Sequence, residues 1–203
     1  MSNEGRLFIF SAASGTGKTS LARALVEQMP EATFSVSHTT RAPRPGEQHG
    51  VHYYYVTREE FDRMIANGEF LEHATVFGNS YGTSKKAIED QIKSGKSVIL
   101  DIDWQGARAI KAWRPDAVSI FILPPSRAAL RERLTQRKQD SNEVIDTRMR
   151  AAVAEMSHYG EFDRLVVNDD FNAALEDLRA ILRGEAQRVR PIRLDPQTLL
   201  ADS

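Results

Sequence analysis

The sequence of 203 residues contains no cysteine, which excludes disulfides and thiolate metal sites. No apolar run approaches the length needed to cross a membrane. The first residues, Met1 to Arg6, lack the layout of a secretory signal. Net charge is nearly absent too: 27 basic residues against 28 acidic ones leave −1, so no global field draws the chain to nucleic acid or to a membrane. The five histidines (His38, His49, His52, His73 and His158) show no metal-site spacing and read as surface or hydrogen-bonded residues. There is no internal repeat and no low-complexity segment. These absences suit a cytoplasmic protein with one compact body, long enough to bury a full core and to carry inserted subdomains.

What is present is concentrated near the N-terminus. The apolar run Leu7-Phe8-Ile9-Phe10 reads as a buried strand, and Ser20 to Met29 has helical spacing. Between them lies Ser11-Ala12-Ala13-Ser14-Gly15-Thr16-Gly17-Lys18-Thr19, in the strand–loop–helix context a P-loop requires. Backbone N–H groups of such a loop, with the helix N-terminus behind them, cradle a triphosphate. Residues Ala12, Ala13, Ser14, Gly15, Thr16, Gly17, Lys18 and Thr19 are therefore the residues expected to bind a nucleoside triphosphate. Lys18 would meet the β- and γ-phosphates, and the Thr19 hydroxyl would ligate Mg²⁺. Ala12 replaces the first glycine of the pattern, a small and tolerable change.

Further apolar runs at 98–102, 118–123 and 164–168, with a shorter one at 33–37, alternate with helical patterns. Continuous apolar strands alternating with helices predict an α/β fold: a P-loop NTPase-type parallel sheet flanked by helices, with ligands at the carboxyl ends of the strands. Asp101 and Asp103 follow one of these strands, as a metal-organising acid would. Two stretches break the alternation. Residues 38–84 read as an inserted α+β subdomain with strands at 51–56 and 70–77, and with Thr57-Arg58-Glu59-Glu60 as a capping box that opens a short helix. Residues 125–159 read as a helical lid, with Ser126 capping its first helix and a polar break at 136–141. The core would then comprise 1–37, 85–124 and 160–203, with a polar, Pro-broken and loosely held tail from about Arg190.

Within the insertion, Arg41 and Arg44 stand three apart in a loop stiffened by Pro43 and Pro45, and guanidinium forks match phosphate oxygens. Alone, such a pair reads rather as a solvated charged turn. Tyr53 and the segment Asn79 to Ser84 add hydroxyl donors, though single tyrosines usually pack. Glu72 sits in an otherwise apolar strand, where alternation would equally leave it facing outward.

With these residues in view, the chain resembles the guanylate kinase family, in its bacterial form, from about Arg6 to Leu182. The resemblance rests on Ser-Gly-Thr-Gly-Lys-Thr at 14–19, Ser-His-Thr-Thr-Arg-Ala-Pro-Arg at 37–44, Phe-Gly-Asn-Ser-Tyr-Gly-Thr at 77–83, Asp-Ile-Asp-Trp-Gln-Gly at 101–106 and Val-Asn-Asp-Asp at 167–170. It implies that 38–84 binds GMP. Ser37, Arg41, Arg44, Tyr53 and Tyr81 would hold the GMP phosphate, and Glu72, Thr83 and Asp101 would read guanine. The chemistry agrees, because guanine's N1–H and N2–H₂ lie side by side and a carboxylate accepts both. Adenine's bare N1 would leave Glu72 unpaired. Asp101 could serve Mg²⁺ as well as guanine. Asn168 and Asp169 match the family segment near adenine, while Asp169 or Asp170 equally fits the N-cap of the next helix.

The implied reaction is ATP + GMP ⇌ ADP + GDP, with Lys18, Arg41, Arg44 and the lid residues Arg137 and Arg148 screening two anions. Arginines in this role can contribute on the order of 10³-fold in rate. The lid turn, Gln136-Arg137-Lys138, departs from the Gly-Arg-Gly often found there, and Ala13 stands where proline is common. Mg²⁺ as cofactor, GMP and also dGMP as acceptors, and a possible homo-oligomer complete the expectations. Two rivals remain: a P-loop kinase for a ribose phosphate, which Glu72 with Thr83 disfavours, and a noncatalytic phosphopeptide module, which would not need Lys18, Thr19, Arg137 and Arg148.

Overall fold

The structure, a computed structural model, describes residues 5–76, 78–136 and 142–201. In chain order the elements are β1 (Leu7–Ala12), α1 (Lys18–Gln28), β2 (Ala32–Phe34), β3 (His38–Thr39), β4 (Tyr54–Tyr55), α2 (Arg58–Ala66), β5 (Phe70–Val76), β6 (Asn79–Ser84), α3 (Lys85–Lys93), β7 (Ser97–Asp101), α4 (Trp104–Trp113), β8 (Val118–Leu123), α5 (Arg127–Thr135), α6 (Asn142–Met156), β9 (Arg164–Val167) and α7 (Phe171–Arg183). Residues group into two units, one of 1–7 with 31–100 and one of 8–30 with 101–203. The fold is α/β, with parallel strands flanked by helices in the P-loop NTPase manner.

In the second unit, β1, β8 and β9 run parallel in that order. Their residues are mostly apolar, Ser11, Ser119 and Arg164 excepted, as strands covered by helices on both faces must be. Phe8, Ile9, Phe10, Ile120, Phe121, Ile122 and Leu123 are fully buried. The register pairs Ala12 with Ile122 and Leu123 with Val167, so the P-loop, Pro124 and Asn168 all leave the strands at one carboxyl edge. Side-chain caps fix where the helices begin. Asp103 accepts from Gly106 N–H at 2.7 Å, Ser126 from Ala129 N–H at 3.0 Å and Asp170 from Ala173 N–H at 2.9 Å. Asp103 is thus a helix cap. Between the two N-cap candidates ahead of α7, Asp170 takes the position.

The tail is not loosely held. Leu199 is buried against Leu130, Met149 and Met156, and Leu194 and Leu200 pack on the same cluster. Arg190 donates to Asp177 Oδ2 at 2.8 Å and to Asp169 Oδ1 at 3.1 Å. Composition alone suggested a free end; a few apolar residues and one arginine are enough to dock it.

In the first unit, β2 and β7 pair in parallel, and a second sheet has the order β4-β3-β6-β5. The β5–β6 hairpin is antiparallel, with a register shift between Phe70 and Glu72. Thr57 caps α2 by accepting from Glu60 N–H at 3.1 Å, as the capping box predicts. The strand expected over 51–56 shrinks to Tyr54–Tyr55. Val51 N–H and His52 N–H instead bond back to Gln48 C=O, and Gly50, at φ +77°, turns the chain. Phe77, the expected end of β5, lies outside the described residues, as do Arg137 and Lys138 of the lid turn. No described helix is long and apolar enough to cross a membrane.

Candidate active site

The P-loop in the second unit is shaped by two left-handed glycines, Gly15 at φ +88° and Gly17 at φ +92°, the latter serving as N-cap of α1. Thr16 turns inward. It is fully buried, and its hydroxyl donates to Ala13 C=O at 2.9 Å. Ala12 ends β1 in ordinary strand pairing, so the missing first glycine removes nothing this loop needs. Residues 12–20, Asp103 and Glu155 line a cavity of about 320 Å³. A larger one of about 480 Å³ lies beside β9 and the tail, away from the loop's cradle.

Two side chains organise the mouth of that cradle. Lys18 Nζ is 2.5 Å from Asp101 Oδ1 and 3.3 Å from Ile102 C=O. The Thr19 hydroxyl donates to Asp101 Oδ2 at 3.0 Å. One carboxylate therefore holds both an ammonium and a hydroxyl, which groups Asp101 with the phosphate and metal candidates. Among the described residues there is no cluster of three acidic or histidine side chains that would bind an ion by itself. The donor set fits Mg²⁺, which prefers few protein ligands and completes its shell with water and phosphate oxygens.

Behind the loop, Asn168 Nδ2 donates to Thr16 C=O at 2.7 Å, and Arg133 donates to Thr16 C=O at 3.3 Å and to Asn168 C=O at 2.9 Å. Loading a carbonyl with donors polarises its peptide unit and strengthens the N–H on the other side, here that of Gly17. Asn168 is buried in this support rather than displayed. Asp169 is half-exposed and ion-paired with Arg190, with its carboxyl lowered chiefly by the Asp170 N–H and also by that guanidinium. Sequence reasoning missed Arg133 of α5, although it lies four residues before Arg137 in the sequence. It also missed Glu155 of α6, whose carboxylate accepts from the Ser14 N–H at 3.2 Å. Arg148 lies half-buried on α6, and Arg137 lies outside the described residues.

In the first unit the arginine loop closes on itself. Gly46 takes φ +87°, and Glu47 N–H bonds to Arg44 C=O at 3.0 Å. Arg41 donates Nη1 to Ala42 C=O at 2.8 Å and Nη2 to Glu47 at 2.8 and 2.9 Å. Its guanidinium lies 5.4 Å from the centre of the Tyr53 ring, and Tyr53 meets Tyr81 edge-on at 6.0 Å. Arg41, Tyr53 and Tyr81 are thus brought together as expected. Arg44 is exposed on the same loop, and half-buried Ser37 accepts from Tyr54 N–H through its carbonyl.

Glu72 and Thr83 face one another across the β5–β6 hairpin, and the Thr83 hydroxyl donates to Glu72 Oε1 at 2.6 Å. Glu72 is exposed while Thr83 is buried, so the hydroxyl aims a carboxylate outward. Gly82, between Tyr81 and Thr83, has no room for a side chain, because a Cβ would lie 2.8 Å from the Phe70 ring. This is a close-packing demand that no spacing rule reveals.

The guanylate kinase family profile matches residues 4–185. A guanylate kinase of Alkalilimnicola ehrlichii is 55% identical over 199 residues, covering 98% of this chain and 96% of that protein. The guanylate kinase of Escherichia coli strain K12 is 57% identical over 188 residues, covering 92% and 91%. Among solved structures, the guanylate kinase of Anaplasma phagocytophilum superposes with a TM-score of 0.63 at 39% identity, over 92% of this chain and 88% of that one.

Proposed function

The chain belongs to the guanylate kinase family and transfers the γ-phosphoryl group of ATP to GMP, and from that premise we propose which of its residues carry the reaction. The observation that carries the assignment is the pair of anion-binding devices, a glycine-shaped backbone cradle with Lys18 at its mouth and a loop that presents Arg41 and Arg44. Residues 12–19 hold the triphosphate of ATP, with Asn168 and Arg133 supporting the loop from behind. Lys18 neutralises the phosphoryl oxygens. Thr19 and Asp101 would hold Mg²⁺. When bound, that ion supplies charge neutralisation and orientation to the phosphate chain. The Lys18–Asp101–Thr19 arrangement favours this role for Asp101 over guanine reading.

Arg41, Arg44, Tyr53, Tyr81 and Ser37 hold the phosphate of GMP. Glu72 accepts from guanine N1–H and N2–H₂, and Thr83 aims it and can turn its hydroxyl to O6. Since the acceptor is already a phosphate, no general base is needed. Catalysis lies in alignment and screening of like charges. Residues 38–84 act as the GMP-binding subdomain and 125–159 as the lid, whose Arg137 and Arg148 meet the phosphoryl group in flight, with 1–37, 85–124 and 160–203 as core. dGMP is also an acceptor, as none of these contacts uses the 2′-hydroxyl. The enzyme works in the cytoplasm and binds neither nucleic acid nor membrane.

The test is ADP release from Mg·ATP against GMP, dGMP, AMP, UMP, CMP and a ribose phosphate, repeated with Lys18→Ala. GDP formed selectively by the native chain, with turnover in Lys18→Ala lowered on the order of 10³-fold, is the expected result. Wild-type turnover in Lys18→Ala would remove the P-loop lysine from the reaction.

A further inference from the structure

An acidic side chain sits inside the loop assigned to an anionic substrate. Glu47 is 18% exposed, and its carboxylate receives four hydrogen bonds of 2.7–2.9 Å: two from Arg41 Nη2, one from Arg44 N–H and one from the Tyr55 hydroxyl. Three of these acceptor contacts fall on Oε2, so the group is anchored from the backbone and from β4 as well as by the arginine. A carboxylate beside a phosphate site repels the incoming dianion. It is retained at a gain only if what it fixes outweighs that repulsion.

We propose that Glu47 is a positioning residue for the acceptor phosphate, holding the Arg41 guanidinium and the Arg44 backbone in the arrangement that receives it. This rests on the reading that Arg41 binds the phosphate of GMP. Arg41 and Glu47 together are close to neutral, so Arg41 contributes geometry, and exposed Arg44 contributes the net positive charge of the loop. Arginine is suited to that role, because one planar fork can be pinned on one edge and still present N–H groups elsewhere. Tyr53 and Tyr55 flank the same guanidinium at 5.4 and 6.0 Å and limit where it can swing. An unpinned arginine would lose rotamer freedom on each binding event, a cost that pre-positioning removes.

The experiment is a double-mutant cycle in steady-state kinetics on the full chain with Glu47→Gln, Arg41→Ala and both together, varying GMP and ATP separately. Gln has the shape of Glu but turns one acceptor into a donor facing Arg41 or Arg44 N–H. Loss of a charge-assisted contact predicts a KM for GMP raised roughly tenfold, with KM for ATP unchanged. The double variant should then be less impaired than the two single effects combined, since Glu47 acts in large part through Arg41. Additive effects would overturn the proposal, because they would mean that Glu47 acts elsewhere. A lowered KM for GMP would overturn it too, making Glu47 a competing anion. If Arg41→Ala itself leaves KM for GMP unchanged, the acceptor reading fails rather than the link between the two residues. Should Glu47→Gln fail to fold, Tyr55→Phe removes one anchor and must shift KM for GMP in the same direction by roughly twofold to threefold; no shift in that variant overturns the proposal.

Discussion

The two regions proposed to bind anions are built from different materials. The P-loop is backbone: its shape comes from two left-handed glycines, and the groups behind it, Asn168 and Arg133, act on one peptide carbonyl. The acceptor loop is side chain: Arg41 is held by Glu47, and Glu72 is aimed by Thr83. A backbone cradle tolerates side-chain replacement along its length but not a change of φ. A side-chain cradle tolerates backbone variation but depends on a second layer of partners.

After the loss of Lys18 itself, the largest effect is expected at Gly17. Alanine there must keep φ near +92°, and its Cβ would come within 2.6 Å of Asn168 Nδ2, the group that supports the loop. Gly17→Ala should lower kcat/KM for ATP on the order of 10²-fold while leaving KM for GMP near its native value. Gly46 has nearly the same φ, +87°, but a Cβ there meets nothing within 4 Å. Gly46→Ala should cost only about 1 kcal/mol of local strain. Equal kinetic losses in the two variants would mean that backbone conformation alone, and not crowding against Asn168, sets the donor cradle.

The acceptor side should break through charge. Glu72→Gln keeps size and still accepts from Thr83, but it offers one acceptor where guanine presents two donors. A fall of roughly tenfold or more in kcat/KM for GMP is expected, together with a narrowed preference for GMP over AMP, read from paired acceptor kinetics. An unchanged preference would remove Glu72 from base reading and leave it as the exposed strand residue that alternation also allows.

The same contrast explains what was legible in the sequence. Glycine spacing encodes the P-loop almost completely, because positive φ has a direct residue signature, and continuous apolar runs mark β1, β8 and β9. The roles of Arg41, Tyr53, Glu72 and Thr83 come through family likeness, while the clasp of Glu47 on Arg41 has no such signal. Glu47 reads as one more charged residue after a turn, since what matters is where Gly46 delivers it. Arg133 and Glu155 are lost among helix-surface charges for the same reason. The tail misled because docking by Leu199 and Arg190 depends on contacts distant in sequence. The strand expected at 51–56 shortens because Val51 and His52 turn back on Gln48, and pairing with β3 begins only at Tyr54.

A smaller effect concerns the tail beneath the donor side. Asp177 is only 6% exposed in its side chain, and Arg190 serves it through both its backbone N–H and its guanidinium. Arg190→Ala leaves that carboxylate without its side-chain partner and frees Asp169. A loss of about 1–2 kcal/mol is expected, read as a fall of a few degrees in Tm by calorimetry. A Tm within one degree of native would show that Leu194, Leu199 and Leu200 dock the tail unaided.

The smallest effect separates site from scaffold. Glu47 is not the sole carboxylate clasped by a guanidinium. Glu161, in the unit that carries the P-loop, takes two 2.6 Å bonds from Arg108 and one of 2.7 Å from His158, which stacks on Trp104 at 3.7 Å. The Arg108 guanidinium, with His158 second, holds the Glu161 carboxyl down to about 2, as Arg41 holds that of Glu47. A folded-state value below the unfolded 4.5 means that the carboxylate's contribution is complete above pH 4.5 and is lost as pH falls towards 2. In urea titrations, native protein should therefore exceed Glu161→Gln by a constant margin at neutral pH, and the margin should shrink below pH 4.5. The Arg108–Glu161 pair is exposed enough that the margin is small. Glu161 touches neither anion device, so its variant should keep native kinetics, whereas Glu47→Gln should not. Identical urea midpoints at every pH would show that the Arg108 contact is too solvated to count, and that a guanidinium clasp matters in this fold only where it aims a ligand.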